Sequence, residues 1–261
     1  MNKIGIAIAI LALSTNIHSA EKVKPQPVKA KTIKNYEVAV DTRTDIEKLT
    51  DVNPAVRLNS ATILSRQRNK KHLPEFLKLL ADPSADVRRT AVNALNETGT
   101  AEEIVKPVAE TLEKETDPSV KMACLNVVAR FKYKPSLKNI INLTNNEDPI
   151  IRTYALSALG EYGSPDTYAL ITAKIKDPAE GVKIEAMKVS AKLQIKDSIA
   201  LITEVLSYPI APVRRSAVEA LGELGDKKTK RELEKYLDDK DASVVKCTKE
   251  AIDKIDARIK K

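Results

Sequence analysis

Tryptophan is absent from this 261-residue chain, phenylalanine, cysteine and histidine each occur twice, and glycine occurs seven times. Without large rings a core has to be assembled from Leu, Ile, Val and Ala, which suits helices that approach closely over small residues. So few glycines also favour helix over a turn-rich sheet. Only His72 follows the first twenty residues. A multi-histidine metal centre is thereby excluded, and a Ser–His or Cys–His relay would have to be built on that one ring. Its place at a helix start beside Lys70 and Lys71 reads as a solvated residue. No glycine-rich phosphate loop is present. Asp238, Asp239 and Asp241 lack the spacing of a calcium-binding loop and read as a solvated turn.

What the chain does have is a recurring signature. Val or Ile is followed by Arg or Lys, then a small residue at the fourth place and apolar ones at the seventh and eighth. The leading residues are Val56, Val87, Val120, Ile151, Val182, Val213 and Val244, lying 31, 33, 31, 31, 31 and 31 positions apart. A fixed period of this length means stacked units. Each unit contacts only its neighbours. In the sixth unit Val213, Ala217, Ala220, Leu221 and Leu224 fall on one helical stripe. Gly225 is read there as a left-handed helix stop, and a second helix carries Leu233, Tyr236 and Leu237. Asp82-Pro83, Asp117-Pro118, Asp148-Pro149 and Asp177-Pro178 are read as Asp caps with Pro in the first helical turn. Cys124 takes the small, buried place in its helix. Cys247 falls one place earlier and is read as partly exposed. Four units separate them, too far for a disulfide.

The N-terminus has a different character. Lys3 precedes the ten-residue apolar run Ile4–Leu13, and Ser19-Ala20 supplies small residues for cleavage, so 1–20 reads as a signal peptide or, if uncleaved, as an anchor. The run is short for a membrane span, and no second one follows, so no stable span is expected after cleavage. Residues 21–41, rich in Lys with Pro25 and Pro27, read as a disordered leader. The formal charge is +8; +3 of it lies in residues 1–41 and +5 in the rest, a mild excess on a mixed-sign surface.

Asp-Pro followed by Val-Arg-x-x-Ala-x-x-Ala-Leu-Gly-Glu-x-Gly resembles the short HEAT-like repeat of phycobilisome lyases. Val213–Asp226 carries it most closely, and Val87–Gly99 and Ile151–Gly163 nearly so. Lys121 and Lys183 depart from the pattern at the Arg place, and Val245 does so in the last unit. The resemblance covers about residues 42–259. It implies an all-α, right-handed α-solenoid of about seven short helix pairs over 42–261, incomplete at both ends, with second helices lining the concave side. It also implies that Arg57, Arg88, Lys121, Arg152, Lys183 and Arg214 form a ladder to the Asp residues of neighbouring turns, rather than a basic stripe for phosphate. If exposed, such pairs are worth under about 1 kcal/mol each.

Function follows less directly. The expectation is an exported, periplasmic or envelope-associated, non-enzymatic scaffold that binds a protein partner and carries no cofactor, metal or catalytic residue. The partner-facing candidates are Tyr133, Lys138, Asn142, Tyr162, Tyr168, Thr172 and Lys176, drawn from the second helices and from a gathering of aromatics near the middle units. Two alternatives stand beside it. One is a lyase-like or cofactor-carrying protein, with a deep pocket around Tyr154, Tyr162 and Tyr168. The other is a binder of an anionic polymer with strongly salt-dependent affinity. Nucleic acid is not expected, because stacking aromatics are scarce. The deoxyhypusine hydroxylase of HEAT fold is disfavoured, because its His-Glu pairs are missing.

Overall fold

The computed structural model describes residues 41–260, and Arg43–Lys261 forms one compact unit. Residues 1–20, read as a signal peptide, and nearly all of 21–41, read as a leader, lie outside the described residues. After α1 (Asp45–Lys48) come six helix pairs: α2 (Pro54–Arg66) with α3 (Leu73–Leu79), α4 (Ala85–Thr98) with α5 (Ala101–Lys114), α6 (Pro118–Arg130) with α7 (Leu137–Leu143), α8 (Pro149–Tyr162) with α9 (Tyr168–Ala173), α10 (Glu180–Lys192) with α11 (Ile199–Val205), and α12 (Ala211–Leu224) with α13 (Lys227–Glu234). The long α14 (Ala242–Ile259) closes the series. Seven leading residues therefore mark six complete pairs and one unpaired helix among the described residues. The architecture is an all-α solenoid.

Each leading residue opens a stripe that faces inward. The small fourth place is occupied by Ser60, Ala91, Cys124, Ala155, Ala186, Ala217 and Thr248, and all seven are 0% exposed. With no bulk there, successive first helices stack directly on one another, α2 on α4 through to α12 on α14. The approach is close at Gly222, where an added Cβ would lie 2.8 Å from Ala251 Cβ and 3.0 Å from its Cα. Leu, Ile and Val at the flanking places then interdigitate into one continuous core.

Two kinds of linker join the helices of a pair. After α2, α6, α8 and α10 the chain passes through a left-handed residue: Arg68, Lys132, Gly163 and Gln194. A turn of 3-10 helix follows and ends on a buried polar residue, which is His72, Ser136, Thr167 or Ser198. After α4 and α12 the linker is shorter and runs straight into a capped second helix. Gly225 there is extended (φ −72°, ψ 163°), not the left-handed stop expected from the sequence. Glycine is required by proximity instead, since a Cβ would lie 2.6 Å from the Leu221 carbonyl oxygen.

His72 also differs from expectation. It is 9% exposed, and its Nε2 lies 3.2 Å from Gln67 Oε1. It is buried because it sits at the repeat position that Ser136, Thr167 and Ser198 fill elsewhere. Cys247 is 8% exposed, buried rather than partly exposed, because it lies against the preceding first helix with Sγ 3.9 Å from the Arg215 carbonyl oxygen. Both cysteines are free thiols.

The contrast between two glycines tests the close stacking. Gly222→Ala is expected to destabilise by about 1–3 kcal/mol, because its methyl must displace backbone of α14. Gly181→Ala points into open space, with Thr153 Oγ1 at 3.9 Å, and is expected to be neutral or to stabilise by up to about 1 kcal/mol. Urea denaturation midpoints of the two variants check both signs.

Candidate functional site

The polar chemistry of the stack concentrates at the turns between repeats. Arg57 places Nε 2.7 Å and Nη2 2.8 Å from the two oxygens of Asp82, which belongs to the next turn. Arg88 grips Glu115 at 2.8 and 2.8 Å, Arg152 grips Asp177 at 3.0 and 2.8 Å, and Arg214 grips Asp239 at 2.8 and 2.7 Å. The third nitrogen, Nη1, donates backward in every case to two carbonyls of its own turn: Asp51 and Val52, Asp82 and Pro83, Asn146 and Glu147, Tyr208 and Pro209. One guanidinium thus ties three pieces of chain together, which its planar fork of donors permits.

The acceptor is shared as well. Asp82, Asp177 and Asp239 each accept the backbone N–H two residues on, from Ser84, Ala179 and Asp241, and Glu115 accepts those of Thr116 and Asp117. The Arg-to-acid separation is 25 residues in three rungs and 27 in the Arg88 rung, where the repeat carries two extra residues. At the first turn Asp51 accepts from Arg43 Nη2 at 2.6 Å.

These rungs are not exposed pairs. Their side chains are only 4–17% exposed. Burial would push the carboxyls of Asp82, Glu115 and Asp177 up, but the guanidinium and backbone N–H groups outweigh it and hold each below its ordinary range. The hydrogen bond from Arg214 does the same for Asp239 against its burial.

The Asp-Pro pairs consequently divide. Asp117 and Asp148 cap α6 and α8 through the N–H groups of Ser119 and Ile150, with Pro at the first helical place, as expected. Asp82 and Asp177 lie two residues further from the helix and are ladder acids instead; Ser84 and Ala179 take the cap place and make no side-chain cap. Asp239 is a rung and Asp241 caps α14 through the Ser243 N–H.

Two rungs are built differently. At the place of the acid, 25 residues on, Asn146 stands for Lys121 and Tyr208 for Lys183. Asn146 Oδ1 still accepts a backbone N–H, from Asp148 at 3.0 Å. Lys183 Nζ lies over the Tyr208 ring, 5.5 Å from its centroid. The fork and the carboxylate are lost together in both rungs.

The partner-facing candidates scatter across the central repeats. Lys138 and Asn142 are exposed on α7, and Lys176 is exposed beyond α9, 3.7 Å from Glu204. Thr172 is half-buried on α9, and Tyr168 packs against the core at the start of that helix. Tyr162 belongs to the frame: its hydroxyl donates to the carbonyls of Tyr133 at 2.7 Å and Val128 at 3.1 Å, one repeat back, and burial pushes it up to about 12. Tyr133 is thus the acceptor side of the same tie. Tyr154 is half-buried on α8 and packs against the core.

Grooves run between neighbouring helices. One of about 490 Å³ separates α3 from α5, and one of about 500 Å³ separates α11 from α13. A third, of about 510 Å³, crosses the first helices α10, α12 and α14. No described helix is long and apolar enough to cross a membrane.

Paired helices in serial contact, tied turn to turn by a buried guanidinium, define a helical-repeat solenoid. The sequence matches HEAT repeats over residues 45–123, 105–186 and 169–252, and the chain belongs to the HEAT-repeat family. Among solved structures it is similar to the Escherichia coli protein YibA (18% identity, TM-score 0.52, covering 83% of this chain and 93% of that one). It is also similar to the complex of CpcE and CpcF of phycocyanin lyase from a Nostoc species (19%, 0.51, 88% and 100%) and to an engineered protein (17%, 0.52, 81% and 67%). At these identities the likeness is one of fold. A comparison with curated proteins finds no match.

Removing one partner of a rung is expected to cost far more than a surface pair. Arg214→Met strands Asp239 and two carbonyls and should lower stability by about 2–4 kcal/mol. The four ladder acids have depressed folded values, so their contribution is complete above the unfolded carboxyl values of about 4 and is lost as pH falls through the lower folded ones. Thermal melts of the parent should therefore show no rung contribution to pH dependence between pH 8 and 5 and a steep fall below about pH 4. The double variant Arg214→Met, Asp239→Leu should fall less steeply.

Proposed function

We propose that this chain is an exported, non-enzymatic scaffold that binds a protein partner in the cell envelope. The observation that carries the reading is how polar groups are divided. At the repeat turns Arg57, Arg88, Arg152 and Arg214 and the acids they grip are consumed by rungs that hold the stack together. The second-helix surface of the middle repeats keeps Lys138, Asn142 and Lys176 exposed beside small exposed residues such as Ala169 and Ala173. A rigid, extended surface of mixed chemistry over open grooves is what repeat solenoids use to hold other macromolecules. The signal-peptide layout of residues 1–20 supports export. Neighbouring structures of lyase type share the fold, and fold alone assigns no chemistry.

Fractionation with N-terminal sequencing, followed by crosslinking capture in the envelope fraction, tests the reading. The expected result is a mature chain beginning near Glu21 and a captured protein. Its affinity should fall at least about tenfold when Lys138→Glu and Lys176→Glu are combined, a loss on the scale of an interface centre. Recovery of the chain in the cytoplasm with Met1 retained contradicts export. An affinity that ignores the double variant contradicts the assigned surface.

A further inference from the structure

The two altered rungs point to a ligand. Four intact rungs define what belongs at each inter-repeat turn: a cation from one repeat, a carboxylate from the next, and a backbone N–H shared with that carboxylate. At Lys121 and Lys183 the cation is kept and the carboxylate is not. Asn146 preserves the N–H contact and drops the charge. Tyr208 offers its ring face. Among the described residues no carboxylate forms an ion pair with either lysine. The acid nearest Lys121 in sequence, Asp117, is committed to the N–H groups of Ser119 and Val120 and the Ser119 hydroxyl, and Glu180 and Glu185, on the same helix as Lys183, form no ion pair with it.

Both lysines are half-buried. A half-buried cation without a counter-charge costs stability that a carboxylate restores. A rung built only for stability would keep the Arg–Asp pair that its neighbours keep. An Arg-to-Lys change alone gives up the fork, and here it coincides with loss of the acid in both rungs.

We propose that Lys121 and Lys183 are vacant rungs that take carboxylates from an acidic segment of a partner protein. The two rungs lie two repeats apart, with the intact Arg152–Asp177 rung between them. At about 8–10 Å per stacked helix the lysines are separated by about 16–20 Å. An extended strand at about 3.3 Å per residue spans that with acidic side chains six positions apart, the even interval that leaves both on one face. The partner chemistry is therefore an extended segment with two Asp or Glu residues at that interval. This inference rests on the protein-binding reading above and deepens it, but its test needs no envelope partner.

The test titrates the full chain, with lysines labelled at the ε carbon, against synthetic peptides followed by NMR. One uncharged Gly/Ser/Thr peptide carries two glutamates six residues apart, a second carries them adjacent, and a third has both replaced by glutamine; sodium acetate is the fourth ligand. The signals of Lys121 and Lys183 are expected to move together with the first peptide. Its affinity should exceed that of the adjacent-glutamate peptide by at least about tenfold, because one bound carboxylate raises the local concentration of the other. Filling the rungs from within, by Asn146→Asp and Tyr208→Asp, should abolish both effects. Lys121→Gln with Lys183→Gln reads the same contacts if Tyr208→Asp fails to fold.

Three results overturn the proposal: no movement of either signal with the spaced peptide, unchanged binding by the filled or neutralised variants, or equal response to acetate at equal carboxylate concentration, which would make these free-anion sites. A captured envelope protein that binds the filled variants as well as the parent would sink the proposal while leaving the scaffold reading in place. Specific peptide binding with no protein captured would do the reverse.

Discussion

A two-helix unit of this size leaves much of its apolar stripe facing water unless another unit covers it, and that shortfall governs the whole molecule. Second helices such as α9, six residues long, are too short to be stable alone. The missing burial comes sideways, through first helices that stack over Ala91, Cys124, Ala155, Ala186 and Ala217, all 0% exposed. Burial of this kind is strong but non-directional. By itself it would tolerate a slide or rotation of one unit against the next.

The turn-to-turn rungs supply direction. A guanidinium that binds both oxygens of an acid in the following turn and two carbonyls of its own has one geometry that satisfies four of its five N–H donors at once. The carboxylate in turn fixes the backbone that opens the next first helix. The same device recurs through Arg57, Arg88, Arg152 and Arg214, so the spacing of one repeat is handed to the next. The Arg88 rung shows how strongly the contact is held: two extra residues in the repeat are accommodated by a longer acid, Glu115, and the bidentate pair is retained at 2.8 Å in both bonds. Where the fork disappears, at Lys121 and Lys183, the acid disappears too, so cation and acceptor behave as one unit in this sequence.

Much of this is legible in the sequence. The period, the buried stripe and the helix pairing follow from Val213, Ala217, Ala220 and Leu221 and their counterparts, because a small residue at fixed helical spacing has one physical use. What escaped was whatever depends on which of two nearby places a residue occupies. Asp82 and Asp148 both precede Pro, yet one is a rung and the other a cap; only aligning them by distance to the leading residue, five places against three, separates them. His72 reads as solvated from its lysine neighbours and as buried from its alignment with Thr167 and Ser198. Tyr162 looks like a partner anchor until its hydroxyl is found on the carbonyls of the previous repeat. Arg68, Lys132 and Gln194 adopt left-handed backbone with no glycine to announce it. Of the candidate surface, Lys138, Asn142 and Lys176 are exposed, since a polar side chain at the outer side of a short helix has nowhere else to go.

The central claim is that neighbouring repeats, and not the helices within one, hold the fold. Circular dichroism of an excised peptide spanning residues 149–176, α8 with α9, compared with the same residues in the full chain, puts it to the most direct test. The account predicts a largely unstructured peptide in dilute buffer and a fully helical chain. A peptide that keeps its helices and melts cooperatively by itself would contradict it.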